Sequence, residues 1–178
     1  MDPKKIAEQL QKQFSSEVKE IAEYNGQVAV IVGKKRIRDI VRYLHDTPSL
    51  SFDLLRDLCG VDYLGKKEPR FEVAYQLYSI EHRHFLRVRA EVPEDDCSID
   101  SVVPVYAGAN WHERECFDMF GITFKGHPDH RRILLPDDWS GHPLRKDYPL
   151  KSDLGAMEWK GWKEVLEISE KNKQFEVR

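Results

Sequence analysis

The sequence predicts an α+β fold: a two-layer domain with helices on one face of a mostly antiparallel mixed sheet, plus an extended carboxy-terminal arm. Apolar and polar residues alternate over residues 71–92 with the period of β-strands. Apolar residues over residues 37–44 recur at the spacing of one helix face. Residues 122–155 are rich in Pro and Gly yet carry many apolar and aromatic side chains, which predicts the arm.

Composition excludes several classes of function. The chain has 178 residues, 33% of them charged, with a formal net charge of -3 and scattered Lys and Arg, so nucleic acid is not an expected partner. No stretch approaches the roughly 20 apolar residues that span a bilayer, so we expect no direct membrane insertion. The three cysteines are widely spaced and no Gly-rich phosphate loop is present. We therefore expect no cofactor on this chain.

Two amphipathic helices are expected near the amino terminus. Asp2 and Pro3 are typical of the N-cap and the first position of a helix. The second helix should end before Pro48, because the residue that precedes a proline disfavours helical geometry. The apolar faces of the two helices comprise Ile6, Leu10 and Phe14, and Ile37, Ile40, Val41 and Leu44.

Five strands complete the predicted domain. Residues 17–32 indicate a hairpin with an Asn25-Gly26 turn, and residues 71–92 indicate a second hairpin. Residues 55–64 are ambiguous between a short helix and a strand. The alternation of Cys59, Val61 and Tyr63 favours a strand towards the end of that segment.

We divide the chain into an α+β amino-terminal domain (1–97), a signature helix (98–121) and an extended docking arm (122–178). The strands and helices before residue 97 carry their own apolar faces. For this reason we expect the domain to fold when everything after about Gly121 is removed.

A third helix is expected from near Val102 or Pro104 to Phe120, because Gly121 suits the left-handed residue that follows a helix. Its predicted apolar stripe comprises Val105, Ala109, Cys116 and Phe120, and its opposite face comprises Trp111, Arg114, Glu115 and Asp118.

Glu113 falls inside the apolar stripe. A buried carboxylate must be paired or protonated, because an unpaired buried charge is costly. Glu113 is therefore either an acid or base tuned by burial, or the ion-pair partner of Arg131 or Arg132. The ion pair is the favoured interpretation, since no nucleophile or second base stands beside Glu113 in the sequence.

The polar residues 112–132 do not match a metal site or a catalytic site. Cys116 stands where the helix of a zinc protease has its second His, and Pro128 separates His127 from His130. We expect no catalytic residue and no metal ligand on this chain. A free-standing metalloenzyme remains an alternative, built on Glu113, Glu115, His127 and His130.

The arm offers aromatic, Leu and Arg side chains as anchors, which favours an arm clamped against another protein. The alternative is that the arm wraps its own domain.

The stretch "ERECFDMFGITFKGHPDHRRIL" (113–134) resembles the signature of the C subunit of respiratory complex I, the NADH-quinone oxidoreductase, and "GHPLRKDYPL" (141–150) is similar to its second hallmark. "GVDY" (60–63) also resembles the family's amino-terminal domain, while His130 stands where the family commonly has Leu. The candidate signature and docking residues are Glu113, Arg114, Glu115, Asp118, Gly121, His127, Arg131, Arg132, His142, Pro143, Arg145, Lys146 and Asp147; Met119, Phe120 and Ile133 also fit the signature.

This resemblance implies a subunit without cofactor in the peripheral arm of complex I, on the cytoplasmic side of the cell membrane. Its carboxy-terminal extension would dock on the D subunit, which helps to form the quinone pocket, with the B and I subunits nearby. FMN, iron–sulfur clusters, NADH and quinone would be held by other subunits, and electron transfer from NADH to quinone would be coupled to proton translocation. A homologous subunit of a membrane-bound hydrogenase or of a ferredoxin- or F420-type oxidoreductase is the nearer alternative.

Overall fold

The computed structural model describes residues 2–149, and all structural statements concern this part of the chain. A short 3-10 turn, Lys34–Arg36, precedes the second helix. The elements in chain order are α1 (Pro3–Gln13), β1 (Val18–Tyr24), β2 (Gln27–Gly33), α2 (Ile37–Asp46), β3 (Leu54–Asp62), β4 (Phe71–Ser79), β5 (His84–Val92), β6 (Ser98–Asp100), α3 (Ala109–Phe120) and β7 (Thr123–Lys125).

The main sheet has five strands in the order β1-β2-β5-β4-β3. Adjacent strands in this sheet are antiparallel, except β2 and β5, which are parallel. A parallel pair, β6 and β7, forms a separate two-stranded sheet. The buried faces of all three helices join one hydrophobic core with the inner face of the main sheet. The predicted α+β fold, with helices on one face of a mostly antiparallel mixed sheet, is confirmed.

The sequence signals near the amino terminus are also confirmed. The carboxylate of Asp2 accepts a hydrogen bond from the backbone N–H of Lys4, 2.9 Å away, and caps α1. The turn between β1 and β2 places both Asn25 (φ 49°) and Gly26 (φ 73°) in the left-handed region, as a tight hairpin turn requires. Helix α2, which was predicted to end before Pro48, ends at Asp46.

The strand favoured towards the end of residues 55–64 is confirmed, and it is longer than expected. β3 begins at Leu54 and ends at Asp62. Gly60 in β3 lets α3 approach the sheet. A Cβ atom at this position would lie 2.6 Å from Cδ2 of Phe120 and 3.0 Å from Sγ of Cys116. Glycine is therefore the residue that allows this helix to pack directly on the edge strand.

The third helix is shorter than predicted. It begins at Ala109, whereas residues 102–108 form turns, so Val105 lies outside the helix. The predicted helix end is confirmed, since Gly121 follows it with φ 73°. The early start was wrong because Val105 lies in a turn, where its N–H donates to the carbonyl group of Val102, yet it packs against the core as a helix residue would.

The core also crosses the boundaries drawn at residues 97 and 121. Ile99 before α3 and Ile122 and Phe124 after it are all buried in the same hydrophobic cluster. The division into three units remains a prediction about independent folding. The burial of Ile122 and Phe124 argues against the expectation that a chain ending at Gly121 folds well.

Candidate docking site

Asp118 is the centre of the signature region and is completely buried. Its Oδ2 atom accepts hydrogen bonds from three successive backbone N–H groups, those of Ile133 (3.1 Å), Leu134 (2.8 Å) and Leu135 (2.9 Å). Successive N–H groups that converge in this way form a concave binding site for an anion. Asp118 therefore fastens the beginning of the arm to α3.

Arg132 completes the coordination of Asp118. Its Nη1 atom lies 2.6 Å from Oδ1 of Asp118, and its Nη2 atom donates to the carbonyl groups of Trp139 (2.9 Å) and Gly141 (3.1 Å). Burial alone would raise the pKa of Asp118, but the N–H groups and Arg132 outweigh burial and hold the pKa below its usual range. The prediction that Asp118 belongs to the outer face of the helix was wrong, because the arm covers it.

The second motif caps the carboxy-terminal end of α3. Nδ1 of His142 donates to the carbonyl group of Asp118 (2.9 Å), the N–H of Leu144 donates to that of Met119 (3.1 Å), and Nε of Arg145 donates to that of Phe120 (2.6 Å). The last carbonyl groups of a helix have no partner within the helix. Here residues 142–145 supply those partners, and the Arg145 cation also suits the negative end of the helix dipole.

Gly121 has two reasons to be glycine. Its φ of 73° lies in the left-handed region, where side chains are strained. A Cβ atom at Gly121 would also lie 2.6 Å from Nε2 of His142 and 2.7 Å from Nη2 of Arg145. The two signature motifs therefore meet in space at this residue.

A second fastening point involves Asp62, which lies in the GVDY segment, and Arg70, which no sequence motif singled out. Nη2 of Arg70 lies 2.8 Å from Oδ2 of Asp62 and 2.8 Å from Oδ1 of Asp147, and the N–H of Lys146 donates to Asp62 (2.8 Å). Burial works against ionisation of Asp62, but Arg70 and the N–H groups outweigh it and lower the pKa of Asp62 to about 2. The buried Arg70 also contacts Glu94 (2.6 Å).

The expected ion pair of Glu113 is absent from the described residues, and this prediction was wrong. Arg132 pairs with Asp118, and the exposed Arg131 pairs with Asp129 at 2.6 Å. Glu113 is completely buried, and its Oε1 atom accepts the N–H of Val102 at 2.7 Å. Burial raises the pKa of Glu113 to about 7. This shift supports the other interpretation drawn from the sequence, in which Glu113 is an acid or base tuned by burial.

The histidines of the arm use their ring nitrogens within the protein. Nδ1 of His127 accepts the N–H of Asp129 (3.0 Å), so Nε2 carries the proton and donates to the carbonyl group of Asn110 (3.0 Å). Nε2 of His130 accepts the N–H of Phe124 (3.0 Å). Across residues 2–149, no three His, Cys, Asp or Glu side chains converge in a metal-binding arrangement. This geometry gives the metalloenzyme alternative no support.

The arm up to Pro149 wraps its own domain, which was the alternative interpretation of this segment. Arg114 adds to the contact, because its guanidinium donates to the carbonyl groups of Arg131 (3.0 Å) and Arg132 (2.7 Å). The part of the predicted arm after Pro149 lies outside the described residues.

Three large apolar side chains on α3 and on the arm segments bound to it are exposed, and we call Trp111, Leu134 and Leu144 the outer apolar face. Their exposed fractions are 72%, 61% and 52%. The N–H groups of both leucines bind the last residues of α3, and Trp111 lies seven residues, about 10 Å, before Asp118 along the helix. Glu115 is exposed on the same side of α3, one turn after Trp111.

The signature residues thus divide by role. Asp118, Gly121, Arg132, His142 and Arg145 converge at the end of α3, and Lys146 and Asp147 contact Asp62 and Arg70. Glu113 and His127 face the interior. Glu115, Arg131 and Lys146 have exposed side chains, and Pro143 is half-buried. None of the helices within residues 2–149 combines the length and apolar composition needed to cross a membrane.

The sequence matches the family described as "Respiratory-chain NADH dehydrogenase, 30 Kd subunit" over residues 30–154. It is 51% identical over 142 residues to the C subunit of the NADH-quinone oxidoreductase of Geobacter sulfurreducens, covering 80% of this chain and 86% of that protein. The C subunits of Geobacter metallireducens (51% over 152 residues; 85% and 92% covered) and of a Roseiflexus species (47% over 153 residues; 86% and 87% covered) are similarly related.

Solved structures agree with the sequence relatives. A trypsin-resistant fragment (1-134) of Nqo5 superposes with a TM-score of 0.62 at 29% identity, covering 72% of this chain and 99% of the fragment. A chain of a membrane-bound sulfane sulfur reductase from archaea also has a TM-score of 0.62, with 24% identity and 90% and 89% covered, and it shows the shared fold alone. Because the family match covers more than half of its length, the chain belongs to the family of the 30 kDa subunit of respiratory-chain NADH dehydrogenase.

Proposed function

We propose that this chain is the C subunit of an NADH-quinone oxidoreductase, a subunit without an active site of its own that scaffolds the quinone-reducing module. The observation that carries this proposal is the 47–51% identity to C subunits of such complexes over most of both sequences. Its main partner would be the D subunit, with the B and I subunits nearby. The complex would lie on the cytoplasmic side of the cell membrane and couple electron transfer to proton translocation.

The outer apolar face supports a docking role. Three large apolar side chains that are more than half exposed lie beside the two signature motifs. Aromatic and aliphatic anchors of this kind contribute much of the binding energy at protein interfaces. Charged side chains of both signs are exposed on α3 and in the arm, namely Glu115, Arg131, Asp137, Asp138 and Lys146. We therefore expect the partner to present an apolar groove with charged residues of both signs at its rim.

The proposed contribution of this chain to electron transfer is positional. The FMN, iron–sulfur clusters, NADH and quinone of the complex would be bound by other subunits, and this chain would hold the arm in the shape that the D subunit recognises. Rigid presentation matters, because ordering a loop at the moment of binding reduces affinity. The fastening of the arm by Asp118 and Arg70 would provide that order in advance. Accordingly, the purified chain should not oxidise NADH.

The related complexes differ from this proposal in their partners rather than in the fold. The sequence relatives described above are named for NADH-quinone oxidoreductase, so we favour that complex over a hydrogenase or a ferredoxin- or F420-type oxidoreductase. Purification of the tagged chain from native membranes distinguishes them, because the partners that accompany it identify the complex.

The docking role is tested by replacing Trp111 and Leu134 together with Ala in the tagged chain. We expect less of the D subunit to accompany the chain and quinone reductase activity of the membranes to fall in proportion. The matched control replaces Tyr24 and Ile80 with Ala, because these side chains are also exposed (79% and 59%) but lie at hairpin ends of the main sheet. Equal recovery of the D subunit from both double variants would contradict the docking role.

A further inference from the structure

Two oxygen atoms in the interior have no hydrogen-bond partner within residues 2–149: Oε2 of Glu113 and the hydroxyl oxygen of Tyr75. Both side chains are completely buried, Glu113 on α3 and Tyr75 on the inner face of β4. Buried polar atoms without partners are rare in folded proteins, so a pair of them requires a physical explanation.

The surroundings of Glu113 contain no free cation, among the described residues, to pair with it. Oε2 of Glu113 is 4.0 Å from Nε2 of His127, but that nitrogen donates to the carbonyl group of Asn110. The guanidinium of Arg38 is directed to the carbonyl groups of Ser101 (2.9 Å) and Lys125 (3.1 Å). The titratable or polar groups that act on Glu113 or on its neighbour Tyr75 are Arg38 of α2, Tyr75 of β4, Asp100 and Ser101 of β6 and its loop, Cys116 of α3 and His127 of the arm.

Electrostatics agree with this geometry. Burial raises the pKa of Glu113 to about 7, although the hydroxyl group of Ser101 and the N–H of Val102 both act to lower it. Burial and the Glu113 charge both raise the pKa of Tyr75. A proton on Oε2 removes the buried charge. It also changes Oε2 from an acceptor that no hydrogen-bond donor reaches into a hydrogen-bond donor itself. The protonated acid is therefore the form that suits this interior best.

We propose that Glu113, together with Tyr75 and His127, forms a buried proton-binding site whose charge state controls how firmly α3 is fastened to residues 101–102 and to the beginning of the arm. Ionised Glu113 needs water or a cation near Oε2, because a buried unpaired charge is costly. The segment that can move to admit water is the turn around His127, since Gly126 and Pro128 beside it are exposed.

The consequence reaches the docking site through the chain itself. Arg131 and Leu134 follow His127 by only four and seven residues, and His127 is held by contacts with Asn110 and Asp129. Movement of the His127 turn therefore changes the position of the arm where it leaves the core. The proton-binding site lies wholly within the free chain, so its titration is independent of the partner's identity.

The test is a pH titration of the full-length free chain by NMR, with the glutamate side-chain carboxyl carbons labelled with carbon-13. We expect Glu113 to titrate near pH 7, more than one unit above the exposed glutamates. The amide signals of Val102 and of residues 127–131 should shift with the same midpoint. In Glu113→Gln this shared transition should disappear, whereas Glu115→Gln, on the exposed side of the same helix, should retain it.

Two results would overturn the proposal. A Glu113 midpoint below about pH 5 would mean that the carboxyl finds solvent or a cation. A shift of residues 127–131 that persists in Glu113→Gln would assign the transition to His127 instead. If Glu113→Gln fails to fold, Glu113→Asp keeps the proposal testable, because a buried carboxyl at this site should still titrate well above the exposed aspartates.

Discussion

The guanidinium of Arg132 lies 2.6 Å from the carboxylate of Asp118, and this ion pair joins the last turn of α3 to the arm 14 residues later. Asp118 is fully buried and the Arg132 side chain is only 14% exposed, so solvent screens the pair weakly. The neighbouring Arg131 makes a superficially similar pair with Asp129, but its side chain is 72% exposed. The two arginines therefore provide a matched comparison of a structural ion pair with a surface one.

Replacing Arg132 with Gln should lower the free energy of unfolding by about 2–4 kcal/mol, because Asp118 then keeps a buried charge with one donor group fewer. Arg131→Gln should cost less than about 1 kcal/mol, as exposed ion pairs usually do. Urea unfolding of the two variants beside the original chain measures the difference. Equal destabilisation would show that Arg132 is not a structural fastener.

Gly121→Ala and Gly26→Ala separate backbone strain from steric conflict. Both glycines have φ 73°, but no atom lies within 4 Å of a Cβ at Gly26, whereas His142 and Arg145 would block one at Gly121. Gly26→Ala should cost about 1 kcal/mol from strain alone. Gly121→Ala should cost about 2–4 kcal/mol, because the hydrogen bonds to the end of α3 must also break. Similar values in thermal or urea unfolding would mean that the two motifs do not meet there.

The contact of Asp62 with Arg70 and Lys146 should weaken in acid. The pKa of Asp62 falls from 3.8 to about 2 on folding, so its contribution is complete above pH 3.8 and is lost as the pH falls through 2. A shift of this size corresponds to about 2 kcal/mol. Urea unfolding should show Asp62→Asn well below the original chain at pH 6 and close to it at pH 2. A gap that stays constant with pH would contradict this role.

Truncation distinguishes the part of the arm that belongs to the core. A chain that ends at Pro149 should keep a cooperative unfolding transition, because every fastening contact described above is retained. A chain that ends at Gly121 should lose most of its stability, since Ile122 (0% exposed) and Phe124 (2% exposed) leave the core. Circular dichroism during thermal unfolding compares the two. Equal stability of both chains would restore the domain boundary that the sequence suggests at residue 121.

Local signals in the sequence were sufficient for the domain but not for the arm contacts. The cap at Asp2, the Asn25-Gly26 turn and the alternation in β4 and β5 are read from neighbouring residues, and the structure confirms them. The environment of Asp118 could not be read in this way. Its partners are mostly backbone N–H groups, which every residue except proline carries, so no residue type marks them.

Glu113 and Arg70 show two further limits. The helical wheel placed Glu113 correctly in the interior, but the choice of its partner needed the path of the arm, which sends Arg132 to Asp118 instead. Arg70 stands directly before the buried strand β4, and neither this position nor the motifs that contain Asp62 and Asp147 indicate that Arg70 bridges the two carboxylates.

Asp118 holds the arm on its own domain in the absence of any partner, through hydrogen bonds from three successive backbone N–H groups of the arm. Amide hydrogen exchange of the full-length free chain, resolved for Ile133, Leu134 and Leu135, measures this contact at the three donors themselves. We expect slow exchange at these amides in the original chain and fast exchange in Asp118→Asn, with the strands of the main sheet unchanged in both. Fast exchange at residues 133–135 in the original chain, with protection only after the D subunit is added, would contradict this contact.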